Sequence, residues 1–386
     1  MIYRICKFAC QEGENSLITV VELCSFHSVF NDSLVKYLNI APSFKDKYEV
    51  KIIYLEDEYK KFIDENNIKP SNKITRQVSY VRFGKWVNKK FHFNKNKDII
   101  NIQFANPHVL YLIPFLKKNF LKIFLSFWGS DLFRQKKAVF SIMQPLFGMC
   151  NSITFETEEM VNYFKKNVST KYNTKLRIVG HGSTVIENIK NISSEYVEVF
   201  RNKWGIPSDK KNIVIGYNGF RAQQHIRAIE SIYRTQINPN DILIILPWTY
   251  GNEDVAYRAE VEASLSGKFQ YLFIDKFLTD DEVSALRVVT DILIQIQTTD
   301  ALSSSMLETL YAGNQVITGS WLPYESAINE GITLNLVDDP KDVGEKLKEI
   351  LNANVNQEQI KRNKDIVYDI LSWESGIKNW ISLYID

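Results

Sequence analysis

Short apolar runs alternate with longer stretches of helical periodicity along most of the chain. The runs are rich in Val, Ile, Leu and Phe, which is typical of strands that are buried on both faces of a parallel sheet. We predict strands at 50–55, 99–104, 123–127, 152–155, 176–179, 212–216, 241–246, 271–274 and 291–296, with a further strand beginning at Val316. Because helical patterns separate these strands, the chain is predicted to have an α/β fold with parallel sheets.

The strand pattern restarts after a polar helical stretch that ends at the Gly205-Ile206-Pro207 break. A chain of 386 residues is also longer than a single hydrophobic core ordinarily supports. We therefore predict two Rossmann-like domains, residues 1–190 and 191–370. Ligands of open parallel sheets bind beyond the carboxyl ends of the strands, so a cleft between the two facing domains is the expected working site.

The composition, with 45% hydrophobic and 24% charged residues, is that of a soluble globular protein. The sequence has no run of about eighteen apolar residues, and its first ten residues lack a full signal-peptide hydrophobic region. We therefore expect a cytoplasmic protein. The cysteines have no metal-ligand spacing and are expected to be buried thiols; they are Cys6, Cys10, Cys24 and Cys150.

Charge is distributed unevenly along the chain. Residues 1–190 hold 29 Lys and Arg against 17 Asp and Glu, whereas residues 191–386 hold 18 against 28. A basic half can contact anionic lipid head groups or a pyrophosphate-bearing acceptor. Nucleic acid is not an expected partner, because no base-reading motif or array of stacking residues accompanies the charge. The Lys-rich region from Lys85 to Lys97 is predicted to be a charged loop that is either solvated or membrane-facing.

One segment combines two carboxylates with a predicted helix start. Asp300 and Glu308 lie eight positions apart, and the serines from Ser303 to Ser305 are common N-cap residues. A helix that begins there presents free N–H groups and the positive end of its dipole, which suits a diphosphate. Glu308 would lie in the first turns of this helix, where it can bind a ribose diol, and Gly313 would end it. The segment alone is also compatible with an ordinary amphipathic helix and strand whose acids are solvated.

This segment resembles the donor-site signature of retaining GT-B glycosyltransferases. In that signature two acids flank a turn of small residues, and the second acid is the first residue of a run that resembles residues 308–317 of this chain. The first acid of that signature is usually Glu, so Asp300 is one methylene shorter. The resemblance implies a GT-B fold, in which the parallel sheets of two Rossmann-like domains face each other across a cleft. It also implies that the last helix, 371–386, crosses back to the N-terminal domain.

Other segments support the resemblance in the same order along the chain. The runs 179–183, 216–219 and 277–291 are similar to the end of the N-terminal domain, the first loop of the donor domain and the helix before the donor motif. Four further segments resemble the transferases that add 4-acetamido-4,6-dideoxygalactose (Fuc4NAc) to the lipid-linked intermediate of enterobacterial common antigen; they are 104–107, 128–133, 216–229 and 246–261. This more remote resemblance implies a surface-polysaccharide transferase that acts on a polyprenyl-diphosphate-linked saccharide, as a peripheral protein at the inner face of the plasma membrane.

The resemblance implies roles for residues on both sides of the cleft. The expected donor-binding residues, which would hold a UDP-, dTDP- or GDP-sugar, are Gly216, Gly219, Arg221, His225, Ser303, Ser304 and Glu308. Arg227 and Lys276 are further candidates for neutralising the diphosphate, because the usual spacing of Arg and Lys is absent. For Arg227, an exposed position on a helix is the preferred alternative. A nearby helix start would keep His225 neutral.

The expected catalytic residues are Asp131, Asp300 and His108. Asp131 could position or deprotonate the acceptor, and it is equally compatible with a helix N-cap. His108 and His181 follow predicted strands, where a structural hydrogen bond is an open alternative for each. We expect transfer with retention of configuration and without a metal or other cofactor.

Three other functions are alternatives to a transferase. A sugar-nucleotide 2-epimerase of GT-B shape would need the donor cleft without an acceptor, although the basic N-terminal half favours a transferase. A non-catalytic scaffold for a membrane assembly would be expected to have lost Asp300 and Glu308, which are present. A dinucleotide dehydrogenase is disfavoured, because Gly216 and Gly219 lack a third glycine and no acidic ribose residue follows at the expected distance.

Overall fold

The computed structural model describes residues 17–385, in which twelve strands form two parallel sheets. The strands of the first sheet are β1 (Ile18–Cys24), β2 (Tyr48–Tyr54), β3 (Ile99–Gln103), β4 (Lys122–Ser126), β5 (Ser152–Phe155) and β6 (Leu176–Ile178). Those of the second sheet are β7 (Lys211–Ile215), β8 (Ile242–Pro247), β9 (Gln270–Ile274), β10 (Ile292–Gln295), β11 (Gln315–Gly319) and β12 (Asn335–Val337). The strand orders are β2-β1-β3-β4-β5-β6 and β12-β11-β10-β7-β8-β9. The predicted α/β fold with parallel sheets is confirmed.

Helices connect the strands and cover the sheets. Within residues 17–385 they are α1 (Val29–Ile40), α2 (Pro42–Lys45), α3 (Leu55–Glu65), α4 (Lys73–Phe91), α5 (Ile113–Asn119), α6 (Ser130–Phe133), α7 (Lys137–Met149), α8 (Glu158–Asn167), α9 (Thr184–Asn191), α10 (Ser194–Trp204), α11 (His225–Arg234), α12 (Val255–Leu265), α13 (Asp280–Val289), α14 (Ser304–Ala312), α15 (Glu325–Asn329), α16 (Val343–Asn352), α17 (Gln357–Leu371) and α18 (Trp373–Ile385). Short 3-10 helices lie at Pro107–Leu112, Asn173–Lys175, Arg221–Gln223 and Pro340–Asp342.

Ten of the twelve described strands coincide with predicted apolar runs, and β1 and β12 do not. Glu22 interrupts the apolar run of β1, and β12 is a three-residue edge strand in which only Val337 is buried. Strand β1 nevertheless lies inside the first sheet, where Val20 pairs with Val50 of β2 and with Ile99 of β3. Strand β1 was therefore not predicted because Glu22, a buried polar residue, interrupts its apolar run.

Both faces of each sheet are buried, as near-continuous apolar strands require. In β1, Val21 packs in one hydrophobic cluster and its neighbour Val20 in another. In β7, Val214 and its neighbour Ile213 are likewise divided between two clusters. Successive side chains of a strand point to opposite faces, so each sheet has a core on either side.

The last helix, α18, packs against the first sheet rather than the second. Trp373, Trp380 and Tyr384 are fully buried in the cluster that contains Val20. The indole N–H of Trp380 donates to the carbonyl of Gly180 at 2.9 Å. These contacts hold α18 against the first sheet.

Several smaller predictions can be compared with these elements. The region predicted as a charged loop from Lys85 is helical as far as Phe91, so that part of the prediction is wrong; His92 ends α4 in a left-handed conformation. Cys24 and Cys150 are buried free thiols, as predicted. Cys6, Cys10 and the expected absence of a signal peptide lie outside the described residues. No helix within residues 17–385 has the length and hydropathy needed to cross a membrane.

Candidate functional site

A cavity of about 690 Å³ lies between the two sheets. Segments that follow strands of the first sheet contribute Phe30, Trp128 and Ser183, and segments of the second sheet contribute Asp300 and Glu308. A smaller cavity of about 190 Å³ shares some of these residues and extends the first. The larger volume lies within the range of sites for small molecules and cofactors. The predicted cleft therefore exists and is lined from both sides.

The start of α14 forms one wall of this cavity. Ser303 is the N-cap: its hydroxyl accepts from the N–H of Met306 at 3.3 Å and donates to the Gln295 side-chain oxygen at 2.9 Å. The helix ends at Gly313, whose φ of 96° is left-handed. Both predicted ends of the helix are confirmed. Ser303 and Ser304 line the cavity, and the first N–H groups of a helix have no acceptor within it.

Asp300 lines both cavities. Its carboxylate accepts from the Tyr324 hydroxyl at 2.6 Å and from the Gln295 amide at 3.3 Å. Burial raises the pKa of this carboxyl, and the bond from Tyr324 opposes that increase. The two donors hold Asp300 in one orientation at the point where the cavities meet.

Glu308 is buried and bonded to both halves of the molecule. It accepts from the Ser183 hydroxyl at 2.8 Å and from the Arg287 guanidinium at 3.1 Å. Burial raises the pKa of Glu308, and the charge of Arg287 opposes that increase. The structure therefore brings Glu308 to the cavity, as predicted, with one partner already bound to each carboxylate oxygen.

Arg287 is the site residue to which the sequence analysis gave no role. It lies on α13, is only 6% exposed, and also donates to the Ser305 hydroxyl beside the helix start. Among the described residues that line the larger cavity, it is the one Lys or Arg. Its sequence signal is a cation within the otherwise small and apolar run from Ser284 to Val289.

Trp128 lines both cavities from the side of the first sheet. Its indole N–H donates to the Gln103 side-chain oxygen at 2.9 Å, and its ring lies 5.2 Å from that of His181, centroid to centroid. The loop behind Trp128 touches the opposite half: a Cβ added at Gly129 would lie 2.7 Å from the Cβ of Ala301. The two halves are thus in close contact beside the cavity.

Asp131 corrects a sequence-based expectation. Its carboxylate is buried and accepts three backbone N–H groups, from Ala105 at 2.7 Å, Trp128 at 2.9 Å and Gly129 at 3.0 Å. Burial raises its pKa to about 6, and these bonds oppose the increase. Asp131 lines neither cavity, because its oxygens tie the Trp128 turn to the neighbouring loop.

His108 and Arg221 are also placed away from the cavities. His108 is exposed, and its ring stacks on Tyr80 at 5.8 Å between centroids. The Arg221 guanidinium lies on the surface, where it pairs with Asp254 at 2.7 Å and with Glu260 at 2.8 Å. Acidic neighbours therefore already neutralise the charge that was expected to meet a diphosphate.

His225 is buried behind the Gly216 loop rather than in the cavity. One ring nitrogen lies 3.1 Å from the Tyr257 hydroxyl, and burial lowers the pKa of His225 to about 3. The imidazole is neutral, as expected, but because of desolvation rather than a helix dipole. A Cβ at Gly216 would lie 3.0 Å from His225, and one at Gly219 would lie 2.6 Å from the Gly251 carbonyl. These glycines permit packing of the loop and do not line the cavity.

His181 lines the smaller cavity together with Glu156 and Asp300. Its Nδ1 lies 3.1 Å from a Glu156 oxygen. Its Nε2 is buried and has no hydrogen-bond partner within residues 17–385. An imidazole nitrogen without a partner beside a carboxylate is a fit for a hydroxyl-bearing ligand.

Comparison with known proteins identifies the fold. No protein-family model and no curated protein matches the sequence. A glycosyltransferase from Rickettsia africae ESF-5 matches with a TM-score of 0.74 at 15% identity, over 95% of this chain and 98% of its own. The Anabaena protein HepE, in complex with UDP and glucose, matches with a TM-score of 0.68 at 11% identity, over 95% of this chain and 99% of its own. An α,α-trehalose-phosphate synthase from Burkholderia xenovorans, in complex with glucose-6-phosphate, matches with a TM-score of 0.67 at 11% identity, over 95% of this chain and 100% of its own.

These similarities, together with the two parallel sheets and the cavity between them, show that the chain has the GT-B fold of these glycosyltransferases. The fold implied by the sequence resemblance is confirmed. The more specific resemblance to Fuc4NAc transferases stays a prediction.

Proposed function

We propose that the protein is a glycosyltransferase that moves a sugar from a nucleotide-diphosphate donor to an acceptor bound in the same cleft. The observation that carries this proposal is the convergence of the α14 start, Asp300, Glu308 and Arg287 on one cavity between the sheets. A diphosphate fits a helix N-terminus with a nearby cation. That HepE was solved with UDP and glucose, on the same fold, supports a nucleotide-sugar donor.

We assign the diphosphate to the N–H groups at the start of α14 and to Arg287. As the bond between the anomeric carbon and the diphosphate breaks, negative charge grows on the departing oxygen. Preorganised donors at that position are worth about 3–4 kcal/mol each in comparable sites. Arg287 replaces Arg221 in this assignment, because Arg287 lines the cavity, whereas Arg221 lies outside it on the surface. We propose that transfer needs no metal or other cofactor.

The smaller cavity is our candidate for the transferred sugar. Asp300 would accept from a sugar hydroxyl, and the Nε2 of His181, which has no hydrogen-bond partner within residues 17–385, would contact another. Glu308 would bind the ribose, with its orientation set by Ser183 and Arg287. Retention of configuration remains our preferred outcome, on the resemblance of the acid pair alone.

The acceptor is proposed from the resemblance and from charge. We propose a polyprenyl-diphosphate-linked or growing surface-polysaccharide saccharide, reached from the inner face of the plasma membrane through the basic N-terminal half. In the same scheme residues 1–190 with helix 371–386 bind the acceptor, and residues 191–370 bind the donor. The division at 190 and the cytoplasmic location remain predictions.

Two measurements test the proposal. First, UDP, dTDP and GDP are screened for thermal stabilisation, since a ligand that binds the folded state raises its apparent stability. Second, release of nucleoside diphosphate from the matching sugar is followed with and without a polyprenyl-diphosphate-linked saccharide. We expect one nucleotide to stabilise and release to require the acceptor. Turnover without acceptor would favour an epimerase, and no stabilisation by any nucleotide would favour a scaffold.

A matched pair of variants locates the reaction in this cavity. Asp300→Asn is expected to keep nucleotide binding and to lower transfer by roughly a hundredfold, because the carboxylate is lost beside the sugar. Asp209→Asn, an exposed acid of the second half, is the control and should transfer normally. Equal rates for both variants would exclude Asp300 from the reaction.

A further inference from the structure

Helix α4 exposes a stripe of aliphatic side chains. Ile74, Val78 and Val81 are 72%, 54% and 42% exposed, which is unusual for three apolar residues of one helix. They are spaced by four and three positions, so they lie on one side of the helix. The apolar stripe is therefore one continuous surface.

Cations extend the same surface toward the end of the helix. Arg82, Lys85 and Lys89 are exposed and lie on the side of the apolar stripe or next to it. None of the three forms an ion pair in the part of the chain that the structure describes, in contrast to Lys90, which pairs with Glu58. The sequence of α4 contains six Lys and Arg and no Asp or Glu. The exposed side of α4 is thus apolar at its start and positively charged at its end.

The opposite side of α4 already holds the helix in place. Tyr80, Phe83 and Val87 are buried in the core of the first sheet. Asn72 and Thr75 form a capping box at the helix start. The fold therefore does not need the exposed stripe, which is free to contact a partner.

The apolar stripe lies at the end of the first sheet that faces the cavity. His108 follows the carboxyl end of β3, and its ring stacks on Tyr80 in the first half of α4. Gln77, one residue before Val78, donates to the Tyr111 hydroxyl of the same loop at 3.2 Å. Carboxyl ends of the strands open toward the cavity, so a membrane contacted by Ile74, Val78 and Val81 would lie at that end of the sheet.

We propose that the exposed side of α4 docks on an anionic membrane surface. The aliphatic residues enter the boundary between head groups and acyl chains, and Arg82, Lys85 and Lys89 meet lipid phosphates. A helix with an apolar stripe and cations lies in a membrane interface in this way. The inference rests on the proposed lipid-linked acceptor for its purpose, but the docking itself needs neither donor nor acceptor.

The test is co-sedimentation of the full chain with vesicles, without any nucleotide sugar. Vesicles of equal parts phosphatidylglycerol and phosphatidylcholine are compared with vesicles of phosphatidylcholine alone. We expect binding to the anionic vesicles, weakened by added salt, and little binding to the neutral ones. No binding to anionic vesicles, or equal binding to both kinds, would overturn the proposal.

Two variants identify the surface. The triple change of Ile74, Val78 and Val81 to Ser is expected to weaken vesicle binding about tenfold or more, and the change of Arg82, Lys85 and Lys89 to Glu to abolish it. The control changes three exposed valines of the second half to Ser; they are Val199, Val255 and Val355. Control binding should match the wild type. Wild-type binding by the α4 variants would overturn the assignment.

Two further readouts separate this inference from its alternatives. Light scattering measures whether the wild type is a dimer and whether the triple change of Ile74, Val78 and Val81 makes it a monomer. If it does, the apolar stripe binds a second copy of the chain and the membrane proposal is wrong. Thermal stabilisation by nucleotide should be the same in the α4 variants and the wild type. If the α4 variants lose vesicle binding but keep nucleotide binding, the result supports docking through α4. If the wild type itself binds no nucleotide, only the proposed function is contradicted.

Discussion

The hydroxyl of Ser183 donates a hydrogen bond to Glu308 at 2.8 Å, and both residues are buried. Ser183 follows the last strand of the first sheet, whereas Glu308 lies on α14 beside the second. The same hydroxyl accepts from the N–H of Val185 and caps α9. One side chain thus fixes a helix start and a cavity acid from opposite halves of the molecule.

Replacement of Ser183 by Ala is expected to lower the free energy of unfolding by about 2–4 kcal/mol. The change removes a helix cap, worth about 1 kcal/mol, and leaves a buried carboxylate oxygen without its donor. Ser193→Ala is the control, because Ser193 caps α10 and has no second partner among residues 17–385. This change should lower the free energy of unfolding only by the value of the cap. Urea midpoints measure both. Equal losses would show that the bond to Glu308 contributes nothing.

Arg287 is expected to be essential for nucleotide-diphosphate binding. Arg287→Lys should weaken affinity at least about tenfold, because a single ammonium cannot reproduce the guanidinium bonds to Glu308 and Ser305. Arg221→Gln is the matched control and should bind normally, since its partners are surface acids. Calorimetry with the nucleotide that stabilises the wild type gives both values. Weaker binding by the Arg221 variant alone would reverse the assignment.

Loss of binding in an Arg287 variant has to be separated from loss of folding. Removing one partner of a buried ion pair costs about 3–5 kcal/mol, because the other charge is left unpaired. The double variant Arg287→Met, Glu308→Leu leaves no buried charge unpaired and is expected to lose less stability than either single change. It should still bind no nucleotide. Binding by this double variant would exclude the pair from the donor site.

The features that the sequence predicted well are those set by neighbouring residues. Apolar runs identified ten strands, and the N-cap Ser303 and the left-handed Gly313 marked both ends of α14. Capping and chain reversal depend on the chemistry of a few adjacent positions, so a sequence carries them directly.

The features that it predicted poorly depend on distant partners. Asp131 was expected to face an acceptor, but its oxygens bind backbone groups as far away as Ala105. The charge of Arg221 is neutralised by Asp254 and Glu260, 33 and 39 positions later. The residues next to Asp131 and Arg221 in the sequence do not indicate either pairing. From the sequence alone, a charged residue in a loop that binds a ligand cannot be told from one that pairs with another part of the chain.

Gly182 is predicted to be required for docking of the last helix. A Cβ at this position would lie 2.5 Å from the Trp373 ring and 2.9 Å from the Cα of Trp373. Gly182→Ala should therefore displace α18 and lower the free energy of unfolding by about 1–3 kcal/mol. Gly180→Ala, two positions earlier, is the control, because no described residue has an atom within 4 Å of its added Cβ. Tryptophan fluorescence and urea midpoints report the difference, and equal stability would contradict the close approach.

Glu22 links the last helix to the cavity through a buried chain of hydrogen bonds. It is fully buried in β1 and accepts from the Tyr384 hydroxyl of α18 and from the Gln103 amide at 2.9 Å. The Gln103 oxygen in turn accepts from the Trp128 indole. Burial raises the pKa of Glu22 to about 7, and the bond from Tyr384 opposes that increase.

The raised pKa of Glu22 predicts stability that falls as pH rises. Between about pH 4.5 and 7 the folded protein keeps a proton on Glu22 that the unfolded chain has lost, so its contribution declines by about 3 kcal/mol over that window and is constant above it. Glu22→Gln cannot ionise and should be more stable than the wild type at pH 8, with a much smaller advantage at pH 5. Glu49→Gln is the control, because a hydrogen bond from Lys51 lowers the pKa of Glu49 from its ordinary value of 4.5. Its contribution to stability is lost only as pH falls below that value, so the difference between Glu49→Gln and the wild type should be nearly the same at pH 5 and pH 8. Urea midpoints of both proteins are measured at the two pH values. If the difference in stability between the wild type and Glu22→Gln is the same at both, Glu22 is ionised at both and the prediction is wrong.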